Sequence, residues 1–302
     1  MPISGNILIT GGTGTLATAI LRQARVERWN TRFTLFARSE LRLYQQWRRF
    51  SDLNLRTVIG DVRDADAVMA ASAGQDVIIH AGAMKRIPEC EQQPMECYQT
   101  NVLGSRNVAW AAQLRGCAGV AISTDKACAA TTTYGASKLL MESIWRGANL
   151  TAVRYGNVVA SNGSVIPIWQ KQWNNGKRLT VTNMHMTRFW MAPSDAVALI
   201  MHALDQYTPG GVWVPKMRAL SLPTLASYIC PGATFDETGV RSTEKIHEDL
   251  IAPCEPVTET TTHFLIHAEG MTGTRYSSDR VPTLPRDAFA AMLADAKDLE
   301  AL

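Results

Sequence analysis

Short apolar runs alternate with longer amphipathic stretches through the first half of the chain. The runs Asn6 to Thr10, Phe33 to Ala37, Thr57 to Gly60, Asp76 to His80, Gly119 to Ser123 and Thr151 to Tyr155 are apolar on successive positions, as strands buried on both faces require. Between them, Leu16 to Trp29, Glu40 to Phe50, Ala65 to Ala71, Met95 to Leu114 and Tyr134 to Arg146 have helical length or period. Strand-helix repetition of this kind predicts an α/β fold with a Rossmann-like, doubly wound parallel sheet. After Asn157 the alternation gives way to turn clusters at 161–164, 174–176 and 209–211. Two elements remain legible there: a helix over Ser194 to Leu204, and a strand over Gly211 to Pro215 that could rejoin the sheet. The pattern predicts a sheet-forming domain over residues 1–157, with returning segments near 188–215. A smaller lobe takes most of 158–302.

Composition narrows the class. A chain of 302 residues with 46% apolar content can bury a large core. The net charge of +3 is spread rather than clustered, which argues against nucleic acid as a partner. The six cysteines form no Cys-x-x-Cys pair, and the histidines show no ligand spacing, so reduced thiols and no metal site are expected. His80, His185, His202 and His247 read as structural or surface groups. No apolar stretch nears the ~18 residues of a membrane span, and no leader pattern opens the chain. A soluble cytoplasmic protein with no membrane partner is expected.

The first strand runs into Gly11-Gly12-Thr13-Gly14-Thr15-Leu16-Ala17 and then a helix. Backbone N–H groups and the helix N-terminus can meet a pyrophosphate there, so Gly11, Thr13, Gly14, Thr15 and Leu16 are cofactor candidates. Ala17 replaces the third glycine, where side-chain size governs helix–strand approach. The second strand ends at Ala37-Arg38-Ser39-Glu40-Leu41-Arg42, where an NAD site would usually offer a carboxylate. Arg38, with Ser39 and Arg42, suits a 2′-phosphate, so NADP is preferred and NAD remains possible. Asp61 and Val62, after the third strand, could receive the adenine; Asp61 could equally be a helix cap.

Tyr134-Gly-Ala-Ser-Lys138 puts a phenol and an ammonium one turn apart on a helix face. The lysine can stabilise a phenolate that takes the proton of a sugar hydroxyl as hydride leaves. The spacing is common by chance; its position beyond a strand ending Ser123-Thr124-Asp125, and after a dinucleotide loop, gives it meaning. Asp125 and Lys126 add an acid and a base that simple oxidation would not need. Their bland alternative is a salt-bridging pair at a strand end.

Several segments in order carry a resemblance: Ser-Thr-Asp-Lys-Ala (123–127), Tyr-Gly-Ala-Ser-Lys (134–138), Arg-Tyr-Gly-Asn-Val-Val (154–159), Gly-Ser-Val-Ile-Pro (163–167), Met-Thr-Arg-Phe-Trp (186–190) and Glu-Lys-Ile-His-Glu (244–248). Together they resemble the UDP-N-acetylglucosamine 4,6-dehydratases of polysaccharide and pseudaminic-acid biosynthesis, which are extended short-chain dehydrogenases. Tyr134, and Phe-Trp after Arg188, side with the soluble group that inverts carbon 5. The resemblance implies a UDP-sugar substrate, UDP-GlcNAc, and a homo-oligomer, dimer or hexamer. It implies cofactor or active-site roles for Ala81, Lys85 and Asn101, and substrate roles for Lys85, Asn157, Thr187, Arg241 and Glu244. The chain departs from the pattern in Ala-Cys-Ala-Ala-Thr-Thr-Thr (127–133), at Asn162 and at Ser242-Thr243.

The residue types suit that reaction. A ketone at carbon 4 acidifies the carbon 5 hydrogen, after which the carbon 6 hydroxyl can leave. Lys126 would take the carbon 5 proton if burial and nearby cations lower its pKa, and a desolvated Asp125 would protonate the leaving hydroxyl. Thr124 would hydrogen-bond the carbon 4 oxygen. Two rivals are an NDP-sugar 4-epimerase, which shares the Tyr–Lys oxidation but needs no acid–base pair, and a catalytically silent NADP-sensing protein of the same fold.

Overall fold

The computed structural model describes residues 4–161, 164–240 and 243–301. Asn162, Gly163, Arg241 and Ser242 lie outside the described residues, so the predicted role of Arg241 has no geometry to be set against.

The first half alternates as the hydrophobic pattern demands. Strands β1 (Gly5–Thr10), β2 (Thr31–Ala37), β3 (Leu55–Ile59), β4 (Val77–His80), β5 (Ala118–Ile122) and β6 (Thr151–Val153) are interleaved with helices. Those helices are α1 (Thr15–Val26), α2 (Glu40–Arg49), α3 (Ala65–Ala71), α4 (Ile87–Gln92), α5 (Pro94–Tyr98), α6 (Gly104–Arg115) and α7 (Thr133–Gly147). All six strands are parallel, in the order β6-β5-β4-β1-β2-β3. This is the doubly wound, Rossmann-like sheet expected from sequence. Ile7, Leu8, Ile9, Ile78, Ile79 and Val120 are fully buried along its middle. Strand order reverses between β1 and β4, which opens a crevice at their carboxyl ends.

The run Met95 to Leu114 is helical throughout, but not uniformly. Proline at the first position starts α5, a π-helical turn follows over Gln99–Leu103, and α6 takes over at Gly104. Such wide turns often mark functional ground, and this one carries Thr100 and Asn101.

In the second half come β7 (Asn157–Val158), α8 (Val165–Asn174), β8 (Leu179–Val181), β9 (Thr187–Met191), α9 (Pro193–Asp205), β10 (Val212–Pro215), β11 (Arg218–Ser221) and α10 (Leu222–Ile229). After them lie β12 (Phe235–Glu237), β13 (Asp249–Ile251), β14 (Val257–Glu259), β15 (His263–Ile266), β16 (Tyr276–Ser277) and α11 (Arg286–Ala301). β10 does rejoin the sheet, parallel to β6, and β15 and β14 extend it antiparallel. Those last two strands escaped the sequence reading because each has only three or four residues. A second apolar cluster, including Trp169, Trp190, Leu222, Leu225 and Phe289, forms apart from the sheet's core. Asp295 fastens α11 to the first half: it pairs with Arg22 of α1, and its Oδ2 accepts the Ser194 N–H at 2.9 Å.

No helix among the described residues is long and apolar enough to cross a membrane. None of the cysteines is bridged; Cys254 is exposed and the other five are buried.

Candidate active site

A cavity of about 570 Å³ opens at the crevice between β1 and β4. Gly11, Thr13, Gly14, Thr15, Leu16, Arg38, Ser39, Arg42, Asp61, Val62, Ala81 and Lys85 all line it, and so do Thr124, Lys126, Tyr134, Lys138 and Asn157. Asn101, Asp125, Thr187 and Glu244 do not.

The glycine turn is shaped for a close approach of chains. Gly11 has φ +69°, and a Cβ there would lie 2.8 Å from the Ala81 carbonyl. Gly14 caps α1 without any side-chain hydrogen bond, so the first N–H groups of that helix stay free for an anion. By contrast, Ser39 caps α2 and Asp64 caps α3. The cap alternative for Asp61 therefore fails. Its carboxylate is held instead by Arg63, at 2.7 Å, with Arg38 at 3.9 Å. Burial opposes its charge, but the hydrogen bonds from Arg63 prevail and keep it below the usual carboxylate range. Arg38 keeps a 64% exposed side chain, and Glu40 does not line the cavity. A dinucleotide fits this donor set: uncapped N–H groups for the pyrophosphate and free guanidinium groups beside the ribose end.

Asn101 does other work than expected. Fully buried, it accepts the Met84 N–H and donates to the Met84 carbonyl, each at 2.8 Å, and donates to Ser137 Oγ at 2.9 Å. It clamps the loop after β4 to α7. His80 is buried between Thr10 Oγ1 and Ser105 Oγ, both at 2.7 Å. Burial, with Lys138 adding, pushes its pKa down to about 3, so it is neutral.

The reacting groups come from two elements pressed together. Thr124, Asp125 and Lys126 form the turn after β5, and Thr124 Oγ1 accepts the Lys126 N–H. Tyr134 and Lys138 lie on α7, whose start is capped by Thr132. Gly135 makes the fit possible, since a Cβ there would lie 2.2 Å from the Lys126 carbonyl oxygen. Burial pushes the Lys138 ammonium down to about 8, against Glu142 and Cys97. The Tyr134 phenol is held above its ordinary range by burial and then by Asp125, with a Thr124 hydrogen bond opposing. Without a bound cofactor the tyrosine is therefore a phenol, and the stabilising influence expected of the lysine does not dominate.

Lys126 also departs from expectation. Burial lowers its pKa, but Asp125 and Glu248 outweigh burial and the nearby Arg188, and the ammonium stays above the ordinary lysine value. Its Nζ is 2.9 Å from Asp125 Oδ1 and 3.3 Å from Glu248 Oε1. Asp125 is fully buried behind Lys126, bonded to Thr124 Oγ1 at 2.9 Å, and its Oδ2 has no hydrogen-bond partner. Thr187 is tied to His247 Nδ1 at 2.8 Å and Ser278 Oγ at 2.7 Å. Glu244 lies 3.6 Å from Arg188.

Sequence reasoning missed Arg188, Glu248 and Tyr155. Arg188 holds the 244–248 loop by donating to the carbonyls of Lys245 and Ile246. Tyr155 is buried and lines the cavity near Tyr134. Each stood inside a quoted motif, but only the fold brings those motifs together.

A parallel sheet with a glycine turn at its switch point, and a Tyr-x-x-x-Lys helix at the same crevice, defines an enzyme of the extended short-chain dehydrogenase class. Within that class the chain belongs to the polysaccharide biosynthesis protein family, whose profile matches residues 7–269. It is 36% identical over 260 residues to a UDP-N-acetylglucosamine 4,6-dehydratase (inverting) of Campylobacter jejuni, covering 82% of this chain and 77% of that protein. It is 38% identical over 269 residues to a UDP-glucose 4-epimerase of Rickettsia canadensis, covering 83% and 79%. Among solved structures, Pen from Bacillus thuringiensis superposes with a TM-score of 0.89 at 30% identity, covering 98% of this chain and 99% of that one.

Proposed function

We propose that this enzyme dehydrates UDP-N-acetylglucosamine to a UDP-4-keto-6-deoxy-hexosamine, with NADP as cofactor and inversion at carbon 5. The observation that carries the reading is the Asp125–Lys126 pair, 2.9 Å apart beside the Tyr134–Lys138 helix, with Lys126 lining the cavity. An epimerase has no water to remove and no use for that pair. Arg38 and Arg42 along the cavity, with Glu40 outside it and Asp61 drawn to Arg63, support NADP over NAD.

Bound in the crevice, the nicotinamide would supply the acceptor, and later the donor, of hydride. Tyr134, once it is the phenolate that the positive charges of Lys138 and of an oxidised nicotinamide would favour, takes the carbon 4 hydroxyl proton, with Thr124 placed to hydrogen-bond the oxygen. Lys126 takes the carbon 5 proton once a ketone has formed and its own ammonium proton has passed to Asp125, 2.9 Å away. Asp125 gives a proton to the departing carbon 6 hydroxyl, which leaves as water; with hydride restored to carbon 6, solvent would reprotonate carbon 5 from the face opposite Lys126, and the Lys126 ammonium would hand its proton back to Asp125. Each positioned proton transfer is worth about 10²- to 10⁴-fold.

Asn157, Thr187, Arg241 and Glu244 serve the sugar nucleotide in this reading. Residues 1–157, with segments near 188–215, form the NADP domain, and most of 158–302 the substrate lobe. The enzyme works in the cytoplasm as a homo-oligomer. Proton NMR of UDP-GlcNAc turnover in heavy water tests the whole reading. A product lighter by one water, carrying deuterium at carbon 5 and the inverted configuration, is expected; a mass-neutral product would favour the epimerase that the Rickettsia relative suggests.

A further inference from the structure

Glu248 is a carboxylate to which the proposed reaction gives no part. It is 3% exposed and does not line the cavity, and its carboxylate faces Lys126 and Arg188. Its Oε1 lies 3.3 Å from Lys126 Nζ, on the same ammonium that Asp125 holds, and its Oε2 has no hydrogen-bond partner. Among the described residues, the other charged group facing it is Arg188 of β9, whose Nε is 3.9 Å away. Arg188 also draws Glu244, at 3.6 Å. Lys245 and His247, on the same loop, are spent on the Cys128 carbonyl and on Thr187 Oγ1. On the α7 side, Tyr134 answers to Asp125.

The reason for a second carboxylate lies in a proton count. During elimination the carbon 5–hydrogen bond breaks and its proton goes to the lysine amine. The carbon 6–oxygen bond breaks as the aspartic acid protonates the departing oxygen, and water leaves. The Asp125–Lys126 pair therefore holds one proton before the step, on the acid, and one after it, on the amine. A pair that has lost this proton can accept from carbon 5 but has nothing to give the leaving group. Burial, and the positive charge of Arg188, both favour such a loss. Asp125 holds the proton on Lys126 only while it is itself a carboxylate; once it carries the shared proton, Glu248 is the carboxylate left facing Lys126.

We propose that Glu248 is a positioning residue of the dehydration, which acts through Lys126 to keep one shared proton on the Asp125–Lys126 pair. The inference rests on the dehydratase reading, and its test separates the two. The NADP-bound protein is labelled at the lysine ε-carbons, and the Lys126 signal is assigned by its loss in Lys126→Arg. Its titration is then followed by NMR in the wild type, Glu248→Gln and Glu248→Asp. The midpoint is expected to move down by at least about one pH unit in Glu248→Gln, and by less in Glu248→Asp, which keeps the charge. The alkaline limb of UDP-GlcNAc dehydration is expected to move the same way, with little loss at the plateau.

An unmoved Lys126 titration in Glu248→Gln would overturn the inference. So would a uniform loss of turnover with the limb in place. If Glu248→Gln fails to fold, the direction of the shift in Glu248→Asp decides. If the Lys126 titration moves but the wild type releases no dehydrated product, the electrostatic coupling stands and the dehydratase reading falls.

Discussion

Lys126 and His80 show how one physical effect, burial, is answered in two ways. Around Lys126 two carboxylates reverse it, and the ammonium survives in the cavity wall. Truncating that side chain, as Lys126→Met, is expected to lower dehydration by about 10²- to 10⁴-fold. NADP binding, measured by calorimetry, should stay within a few-fold. Around His80 nothing reverses burial, and the folded protein refuses a proton that the unfolded chain accepts below its ordinary value of 6.5. Stability contributed by the neutral ring is thus complete above that value and is lost as pH falls towards about 3. Urea titrations should show a loss of about 2 kcal/mol from this group between about pH 7 and about pH 5, absent from the slope of His80→Asn.

Among the elements, the contact between α7 and the turn after β5 governs catalysis, and the end of β6 governs cohesion. Gly135→Ala would force the Lys126 carbonyl away. Turnover is expected to fall about tenfold or more, against a smaller change in NADP affinity, because misplacing a reacting group costs rate first. Arg154, just after β6, uses all five N–H donors: two on Glu142, two on Glu255 and one on the Leu250 carbonyl. Removing it leaves two poorly solvated carboxylates facing each other, so Arg154→Met should cost about 3–5 kcal/mol in chemical denaturation. The strands and helices around these contacts were legible because each carries its own hydrophobic period, as β1, β4 and α3 do. The contacts themselves were not. Arg154 and Glu255 are 101 positions apart, and Lys126 meets Glu248 only because β9 and the 244–248 loop fold back over the crevice. The π-helical turn within Met95 to Leu114 was also hidden, since one widened turn inside a continuous helix has no residue type of its own.

For the whole molecule, apolar side chains left uncovered on adjoining helices matter most. Trp110 and Leu114, one turn apart on α6, are 53% and 60% exposed, and Leu139 and Leu140 on neighbouring α7 are 40% and 48% exposed. Exposed apolar side chains on two neighbouring helices suit self-association through those helices, as the proposed homo-oligomer requires. Leu140→Glu combined with Trp110→Glu is expected to slow sedimentation in sedimentation velocity, and an unchanged profile would count against pairing through this face. Tyr44 and Trp47 are also exposed, stacked on α2. At the other end of the chain, the Arg22–Asp295 bridge has a consequence for biosynthesis. Its partners are separated by 273 positions, so the first helix emerges from the ribosome long before the segment that will brace it. Until residue 295 has been made, α1 has α9 to pack on but not this brace.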